Sequence, residues 1–211
     1  MSRPLLISDC DDVILHFARH FGEWVAEVHG FTFTLEAGFA GALKGPDGAP
    51  ASREQIWPLL DLFFDAEMHR QHLVAGAAEA LRAIGAVADI VILTNIGEDY
   101  RANRIAQLEA FDIRHRVLCN QGGKGRPVAE LIAEMGPSVA VFVDDLAVHH
   151  ESVAKHAPEV WRLQMIAEPK LAAVSEAAAH AQARIDDWAE AAAWIMARLD
   201  RGPAPVLEGT P

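Results

Sequence analysis

The sequence predicts an α/β protein with a doubly wound, Rossmann-like parallel sheet and a small α-helical cap domain. Short apolar runs rich in β-branched residues have the unbroken hydrophobic character of strands that are buried on both faces. Helical stretches separate most of these runs, and this alternation implies right-handed crossovers between parallel strands. The 211 residues, 51% of them hydrophobic and 23% charged, suit one domain with a modest insertion.

Each predicted element follows from a local pattern. The apolar runs predict strands at 5–7, 89–93, 116–118 and 139–143, with a weaker candidate at 160–166. Amphipathic spacing predicts the intervening helices at 75–84, 100–109, 127–135 and 150–155.

The segment 16–72 does not fit this alternation and is predicted to be the helical cap, inserted into a core of residues 1–15 and 73–200. It begins with an amphipathic helix whose apolar residues recur at helical spacing, and it continues through a Gly-, Pro- and Ala-rich loop at 38–52. A second pair of apolar helices is predicted over 55–68. The apolar residues of the first helix are Phe17, Phe21, Trp24, Val25 and Val28.

The alanine-rich stretch 171–199 predicts a long helix with one apolar stripe. Packing of this stripe against the sheet is favoured over its use as a dimer interface. The oligomeric state, monomer or homodimer, stays open. Residues 201–211, rich in Gly and Pro, have the composition of a disordered tail. The stripe consists of Ile185, Trp188, Ala192, Ile195 and Leu199.

The bulk composition excludes several classes of partner. A formal net charge of −12 disfavours nucleic acid, which needs a basic surface. There is no apolar run of about 18 residues, and carboxylates interrupt the N-terminal apolar stretch at once, so neither a membrane span nor a signal peptide is predicted. Only two cysteines occur, which does not make a disulfide framework. A cytoplasmic location is the expectation.

Polar residues follow the predicted strands where ligands of an open α/β sheet bind, at the carboxyl ends. Three acids follow the first strand, and a hydroxyl and an amide follow the second. A lysine follows the third across a short loop, and two acids follow the fourth. Carboxylates can share a hard cation such as Mg²⁺, while the hydroxyl, backbone N–H groups and the lysine can hold phosphate oxygens. These residues are Asp9, Asp11 and Asp12; Thr94 and Asn95; Lys124; and Asp144 and Asp145.

Four segments in this order resemble the motifs of the haloacid dehalogenase superfamily of aspartate-nucleophile hydrolases. DCDDVIL resembles the first motif and VILTN the second, Lys124 stands at the place of the third-motif lysine, and VFVDD resembles the two-acid form of the fourth. The dehalogenase branch lacks an acid two residues after its nucleophile. The presence of Asp11 therefore favours the phosphatase branch.

The resemblance implies a role for each matching residue. Asp9 would be the nucleophile that forms an aspartyl-phosphate, and Asp11 the general acid and base. Thr94 and the amide of Asn95 would bind the phosphoryl group, and Lys124 would hold Asp9 and the phosphate in register.

The resemblance also implies a Mg²⁺ site and a substrate class. Asp145, with Asp144, Asp9 and the backbone carbonyl of Asp11, would hold the cation. The small helical cap suits a small phosphorylated metabolite as substrate.

Three alternatives stay open at this point. A mutase would keep the site but transfer the phosphoryl group to another hydroxyl, and a phosphonate hydrolase would use a cap lysine such as Lys44 to form a Schiff base. A regulatory protein would bind phosphate or Mg²⁺ without turnover. The sequence assigns no chemistry to Asp12, which replaces the commoner glycine of the first motif. His149 replaces a common fourth-motif Asp or Asn, and neither it nor His150 is expected to bind the metal, since Mg²⁺ prefers oxygen.

Overall fold

Six parallel strands form the central sheet of the structure, a computed structural model that describes residues 2–35 and 42–205. The predicted α/β fold class is confirmed. The sheet strands are β1 (Leu5–Ser8), β4 (Asp89–Thr94), β5 (Arg116–Cys119), β6 (Ala140–Asp144), β7 (Trp161–Gln164) and β8 (Ala183–Arg184), while β2 (Thr32–Phe33) and β3 (Leu43–Lys44) form a separate antiparallel hairpin.

The strand order β5-β4-β1-β6-β7-β8 places β1 between β4 and β6. Leu6 of β1 lies opposite Ile90 on one side and Val141 on the other. Because all three strands run in the same direction, their carboxyl ends are adjacent at one edge of the sheet. The polar residues that follow these strands are thereby brought together.

Helices cover both faces of the sheet. Along β1, Leu6 points into an apolar cluster that includes residues of α3 and α8, whereas Leu5 and Ile7 point into a cluster with α5 and α6. This period of two is what a strand buried on both faces requires. The helices are α1 (Ala18–His29), α2 (Arg53–Leu62), α3 (Ala77–Gly85), α4 (Arg101–Ala110), α5 (Gly125–Met135), α6 (Ala147–His156), α7 (Pro169–Val174) and α8 (Trp188–Leu199).

The predicted helix over 171–199 is wrong in its central part. Helix α7 ends at Val174, and β8 then adds an edge strand to the sheet beside β7 before α8 begins. The side chain of Arg184 donates to the carbonyls of Ser175 and Ala172, and that of Gln164 accepts from the Ala178 amide. These tertiary hydrogen bonds outweigh the helix propensity of the alanine-rich sequence. Trp188, at the start of α8, is fully buried against the sheet.

The segment 16–72 contains α1, the β2–β3 hairpin and α2, which continues through a π-helical turn at Phe63–Glu67 and a 3₁₀ turn at Met68–Arg70. One continuous run thus replaces the predicted second helix pair, and β3 lies where the sequence predicted a loop. Most of the α1 stripe is buried with Phe63 in one aromatic cluster, as expected, but Val28 is exposed. The loop residues 38–41 lie outside the described residues.

The beginning of the predicted disordered tail contacts the sheet. Contrary to that expectation, the Gly202 carbonyl accepts a hydrogen bond from the Trp161 indole, and the Ala204 amide donates to the Glu159 carbonyl. Residues 206–211 of the predicted tail lie outside the described residues. Within residues 2–35 and 42–205, no helix has the length and apolar character needed to cross a membrane.

Candidate active site

Asp9 follows the last residue of β1, and its carboxylate is almost fully buried at the carboxyl edge of the sheet. Its Oδ1 lies 2.7 Å from Lys124 Nζ and accepts a hydrogen bond of 2.7 Å from the Cys10 amide. Burial raises the pKa of Asp9 to about 7, although the positive charge of Lys124 opposes this increase. The charged form of Asp9 therefore depends on nearby positive charge.

Lys124 joins Asp9 to Asp144, the last residue of β6. The lysine directly precedes α5, is fully buried, and places its Nζ 2.7 Å from Asp144 Oδ2 as well. Burial opposes the charge of Lys124, but Asp144 and Asp9 outweigh it and raise the pKa of the ammonium group. The other carboxylate oxygen of Asp144 accepts from the Leu146 amide at 2.9 Å. Both oxygens of Asp144 thus have partners within the protein.

Asp9, Asp144 and Asp145 form a candidate cation site. Each offers a carboxylate oxygen, and these atoms lie within 4.8 Å of one another. Asp145 makes no side-chain hydrogen bond or ion pair with any described residue, and burial, followed by the charge of Asp144, raises its pKa well above the usual value. Three carboxylates beside one lysine leave an excess of negative charge, and the donor set contains only oxygen. Both properties fit Mg²⁺.

The carboxylate of Asp11, a predicted site residue, does not belong to this trio and is bound by two side chains that sequence reasoning missed. Arg104 Nη2 lies 2.9 and 2.8 Å from its two oxygens, and Gln71 Nε2 donates to it at 2.7 Å. Arg104 is fully buried in α4 and also contacts the Cys10 sulfur at 3.3 Å. The sequence does contain a signal for it, because Arg104 and Leu108 are i, i+4 neighbours on the core-facing side of a predicted helix.

Thr94 and Asn95, the two predicted phosphate-binding residues, follow different patterns. The hydroxyl of Thr94, at the end of β4, is buried and has no hydrogen-bond partner among the described residues. A buried hydroxyl without a partner is costly, so a ligand oxygen is a natural acceptor for it. The Asn95 side chain instead donates to the Gly122 carbonyl at 2.9 Å and accepts from Asn120 at 2.8 Å.

Asp12 has a structural role that the sequence did not reveal. Its backbone is left-handed, with φ of 55°, and its carboxylate accepts hydrogen bonds from the amides of Phe17 (2.9 Å) and Ala18 (3.1 and 3.2 Å). These amides are at the start of α1 and would otherwise lack acceptors. Burial raises the pKa of Asp12 to about 7. The third acid of the first motif therefore caps the first helix of the segment 16–72.

The two histidines of α6 make different contacts. His149 Nε2 is 3.3 Å from the side-chain nitrogen of Asn95, and burial lowers the pKa of His149. His150 is fully buried, and its Nε2 lies 3.0 Å from the Asp144 carbonyl. Neither histidine belongs to the carboxylate trio.

A cavity of about 380 Å³ joins the sheet edge to the segment 16–72. It brings together Asp9, Asp11, Asp145 and Asn95 of the predicted site, with Asp12 and His149 beside them. Lys124, Thr94 and Asp144 are buried beneath this surface. Lys44, the lysine on which the phosphonate alternative depends, lies exposed in β3 and does not line the cavity. The other lining residues are Phe17, Trp57, Leu60, Phe64, Leu146, Ile166, Leu171 and Ser175.

Solved structures with the same fold cover nearly the whole chain. A haloacid dehalogenase family hydrolase from Deinococcus radiodurans, with bound phosphate and sodium, is 18% identical with a TM-score of 0.62, over 92% of this chain and 96% of that one. A proposed haloacid dehalogenase-type hydrolase, YfnB from Bacillus subtilis bound to magnesium, is 12% identical with a TM-score of 0.61, over 95% and 100%. A proposed β-phosphoglucomutase from Thermotoga maritima is 13% identical with a TM-score of 0.60, over 92% and 99%.

This chain has the haloacid dehalogenase-like fold. No protein-family model and no curated protein sequence matches it. The four segments that resemble the haloacid dehalogenase motifs meet at one edge of the sheet, although they are spread from residue 9 to residue 145. The resemblance in sequence and the likeness in fold therefore concern the same part of the molecule.

Proposed function

We propose that this protein is a Mg²⁺-dependent phosphatase that hydrolyses a small phosphomonoester through an aspartyl-phosphate at Asp9. The observation that carries the proposal is that Asp9, Asp11 and Asp145 line one cavity, while the buried Lys124 contacts Asp9 from beneath. A nucleophile, a second acid two residues later and a free carboxylate for a cation are the groups that this reaction needs.

In the first step, a carboxylate oxygen of Asp9 attacks phosphorus, and the bond to the leaving oxygen breaks. Asp11, protonated on an oxygen that has been released from Arg104, donates this proton to the leaving oxygen, so that an alcohol leaves. In the second step, Asp11 takes a proton from a water molecule that attacks the aspartyl-phosphate, and inorganic phosphate and the Asp9 carboxylate are formed. Lys124 holds Asp9 in place, and the Thr94 hydroxyl donates to a phosphoryl oxygen.

Asp9 and Asp145 would hold Mg²⁺, with the Asp11 carbonyl as a further expected ligand. Asp144 lies beside them but is bound to Lys124 and the Leu146 amide, so we assign it mainly to positioning Lys124. When bound, the cation supplies positive charge that offsets the carboxylates and the phosphoryl oxygens. One structural neighbour contains phosphate and sodium, and another contains magnesium. These ligands support the proposal that a protein of this fold binds a cation and a phosphate.

We propose that the segment 16–72 acts as a cap over this site. It contributes Phe17, Trp57, Leu60 and Phe64 to the cavity that contains the carboxylates. Covering the site would exclude bulk water during phosphoryl transfer. The cytoplasmic location, the small-metabolite substrate and the choice between monomer and homodimer stay predictions from the sequence.

The test of the proposed function is phosphate release from 4-nitrophenyl phosphate with Mg²⁺ and with EDTA. We expect Mg²⁺-dependent turnover in the wild type and none in Asp9→Asn, which keeps the size of the side chain but removes the nucleophile. Turnover that survives in Asp9→Asn would contradict the proposal. Tight Mg²⁺ or phosphate binding without turnover on a panel of phosphoesters would favour the regulatory alternative.

A mutase is a second candidate, because one structural neighbour is a proposed β-phosphoglucomutase. Its chemistry would use the same Asp9 and Asp11, and the acceptor of the phosphoryl group would be a sugar hydroxyl in place of water. Product analysis with a sugar phosphate separates the two reactions. Phosphate appearing on a second sugar hydroxyl favours the mutase, and inorganic phosphate favours the hydrolase.

A further inference from the structure

Apart from the carboxylates, the cavity is lined mainly by apolar side chains. Trp57, Leu60 and Phe64 recur at i, i+3 and i+7 along α2 and its π-helical continuation, so they lie on one side of this run. Phe17 contributes from the start of α1, and its ring stacks on Phe64 with centroids 5.5 Å apart. The cavity also has apolar walls from the sheet side of the molecule, made by Leu146, Ile166 and Leu171.

The cavity contains negative charge but no lysine or arginine among the described residues that line it. Its charged residues are Asp9, Asp11, Asp12 and Asp145. The sequence outside the described ranges, residues 1, 36–41 and 206–211, contains no lysine, arginine or histidine. Burial disfavours the charged form of His149 and lowers its pKa. Lys124 and Arg104 lie behind this surface and are already bound to Asp9 and Asp11. A second anionic group on a substrate would therefore find no free lysine or arginine among the described residues that line the cavity.

Two other basic residues, Arg19 and Lys170, line a different cavity. This separate cavity has a volume of about 580 Å³, and Glu168 lines it together with Arg19 and Lys170. Arg19 is already paired, because its guanidinium lies 3.0 Å from the Glu168 carboxylate. Neither residue lines the cavity that contains Asp9.

We propose that the phosphomonoester hydrolysed here has an apolar, uncharged leaving group, aromatic or branched aliphatic, and not a sugar or a carboxylated metabolite. This inference rests on the proposed phosphatase function and specifies its substrate class. The phosphoryl group is bound at Asp9, Thr94 and Lys124. The leaving group packs on the apolar residues of α2, with Trp57 covering its outer side.

The experiment compares three esters of primary alcohols: benzyl phosphate, 4-carboxybenzyl phosphate and glucose 6-phosphate. The first two differ by one carboxylate far from the reacting bond, so a difference in kcat/KM reports the charge of the leaving group. We expect kcat/KM for benzyl phosphate to exceed that for the other two by about tenfold or more, which corresponds to one unfavourable charge or one lost apolar contact.

A matched pair of variants tests the role of α2. Trp57→Lys places a cation at the cavity on a side chain that is 62% exposed, so the fold should tolerate it. We expect Trp57→Lys to lower kcat/KM for benzyl phosphate and to raise it for 4-carboxybenzyl phosphate. The ratio of these two kcat/KM values should therefore fall by about tenfold. Leu62→Lys, on the same helix but outside the cavity and 50% exposed, is the control and should keep the wild-type preference.

The outcomes separate this inference from the function on which it rests. Equal or faster hydrolysis of 4-carboxybenzyl phosphate or glucose 6-phosphate by the wild type overturns the inference and leaves the phosphatase in place. An unchanged preference in Trp57→Lys overturns the assigned location of the leaving group. No hydrolysis of these esters or of 4-nitrophenyl phosphate with Mg²⁺ overturns the proposed function and the inference together.

Discussion

Replacing Arg104 with methionine tests whether a buried cation positions Asp11, the proposed general acid. Arg104 is fully buried and forms two hydrogen bonds of 2.8 and 2.9 Å with the Asp11 carboxylate. Methionine keeps much of the side-chain volume but removes both bonds and the charge. Removing one partner from a buried ion pair costs about 3–5 kcal/mol. The Asp11 side chain is 18% exposed, so water can replace part of the lost interaction. We therefore expect Arg104→Met to lower the free energy of unfolding by about 2–4 kcal/mol.

The catalytic effect is measured by comparing two leaving groups. The alcohol of benzyl phosphate needs a proton as it leaves, whereas 4-nitrophenolate leaves without one. If Arg104 positions Asp11 for this proton transfer, Arg104→Met lowers kcat/KM for benzyl phosphate by about 100-fold, within the usual contribution of a general acid. For 4-nitrophenyl phosphate the decrease should be about tenfold or less, because only the charge environment of the site changes.

Arg101→Met is the matched control for this comparison. Arg101 lies one turn earlier on the same helix, is exposed, and pairs with Glu98 at 3.0 Å, away from the cavity. We expect it to leave both kcat/KM values unchanged, and circular dichroism at the assay temperature checks that each variant is folded. An equal decrease for both esters in Arg104→Met, or no decrease for benzyl phosphate, would refute the positioning role.

The remaining predictions concern Thr94, Asp12 and Asp9. Thr94→Val removes a buried hydroxyl that has no hydrogen-bond partner among the described residues, so thermal unfolding should show no loss of stability while KM for 4-nitrophenyl phosphate rises by about tenfold. A lower Tm with unchanged KM would contradict this. Asp12→Ala should lower the free energy of unfolding by about 1–2 kcal/mol, and Asp12→Asn by less, because an amide oxygen can still accept from the start of α1; equal losses in urea titrations would argue against the cap. Burial raises the pKa of Asp9 and of Asp12 to about 7 from 3.8, so without metal the folded state binds more protons than the unfolded state between these pH values, and stability should fall as the pH rises from about 4 to 7. Since Mg²⁺ binds the charged form of Asp9, it should raise Tm more at pH 8 than at pH 5, an increment that Asp9→Asn should remove.

The sheet was predictable from sequence because its strands are short, buried on both faces and bounded by polar residues. The strand predicted at 89–93 is observed at Asp89–Thr94, and the one at 139–143 at Ala140–Asp144. The single helix predicted over 171–199 was wrong because the local sequence there favours a different structure from the one that long-range contacts impose. Alanine favours helix locally, and long-range contacts, among them the pairing of Ala183 and Arg184 with β7, make that part extended. Long-range pairing leaves no periodic signal in two residues.

In the candidate site, too, some residues could be placed from the sequence and others could not. Asp9, Asp144 and Asp145 could be placed together because each follows a predicted strand, and parallel strands end at a common edge. Arg104 and Gln71 could not, because their contact with Asp11 joins residues that are 93 and 60 positions away along the chain. The role of Asp12 depends on backbone geometry, a left-handed φ that aims its carboxylate at the start of α1. Composition and spacing carry no information on such an angle.

The segment 16–72 leaves the core and rejoins it at a single place. Leu15 pairs with Leu73 in an antiparallel bridge, the His16 amide donates to the His72 carbonyl, and the Val74 amide donates to the Ile14 carbonyl. The ends of the segment 16–72 are therefore fixed side by side whatever lies between them, and loop-closure entropy rises only slowly with the length of an insertion. We therefore expect that a different segment joined at this bridge would keep the strand order and the position of Asp9. The substrate preference proposed above would then depend on one contiguous stretch of sequence, while Asp9, Lys124 and Asp145 would keep their positions in the core.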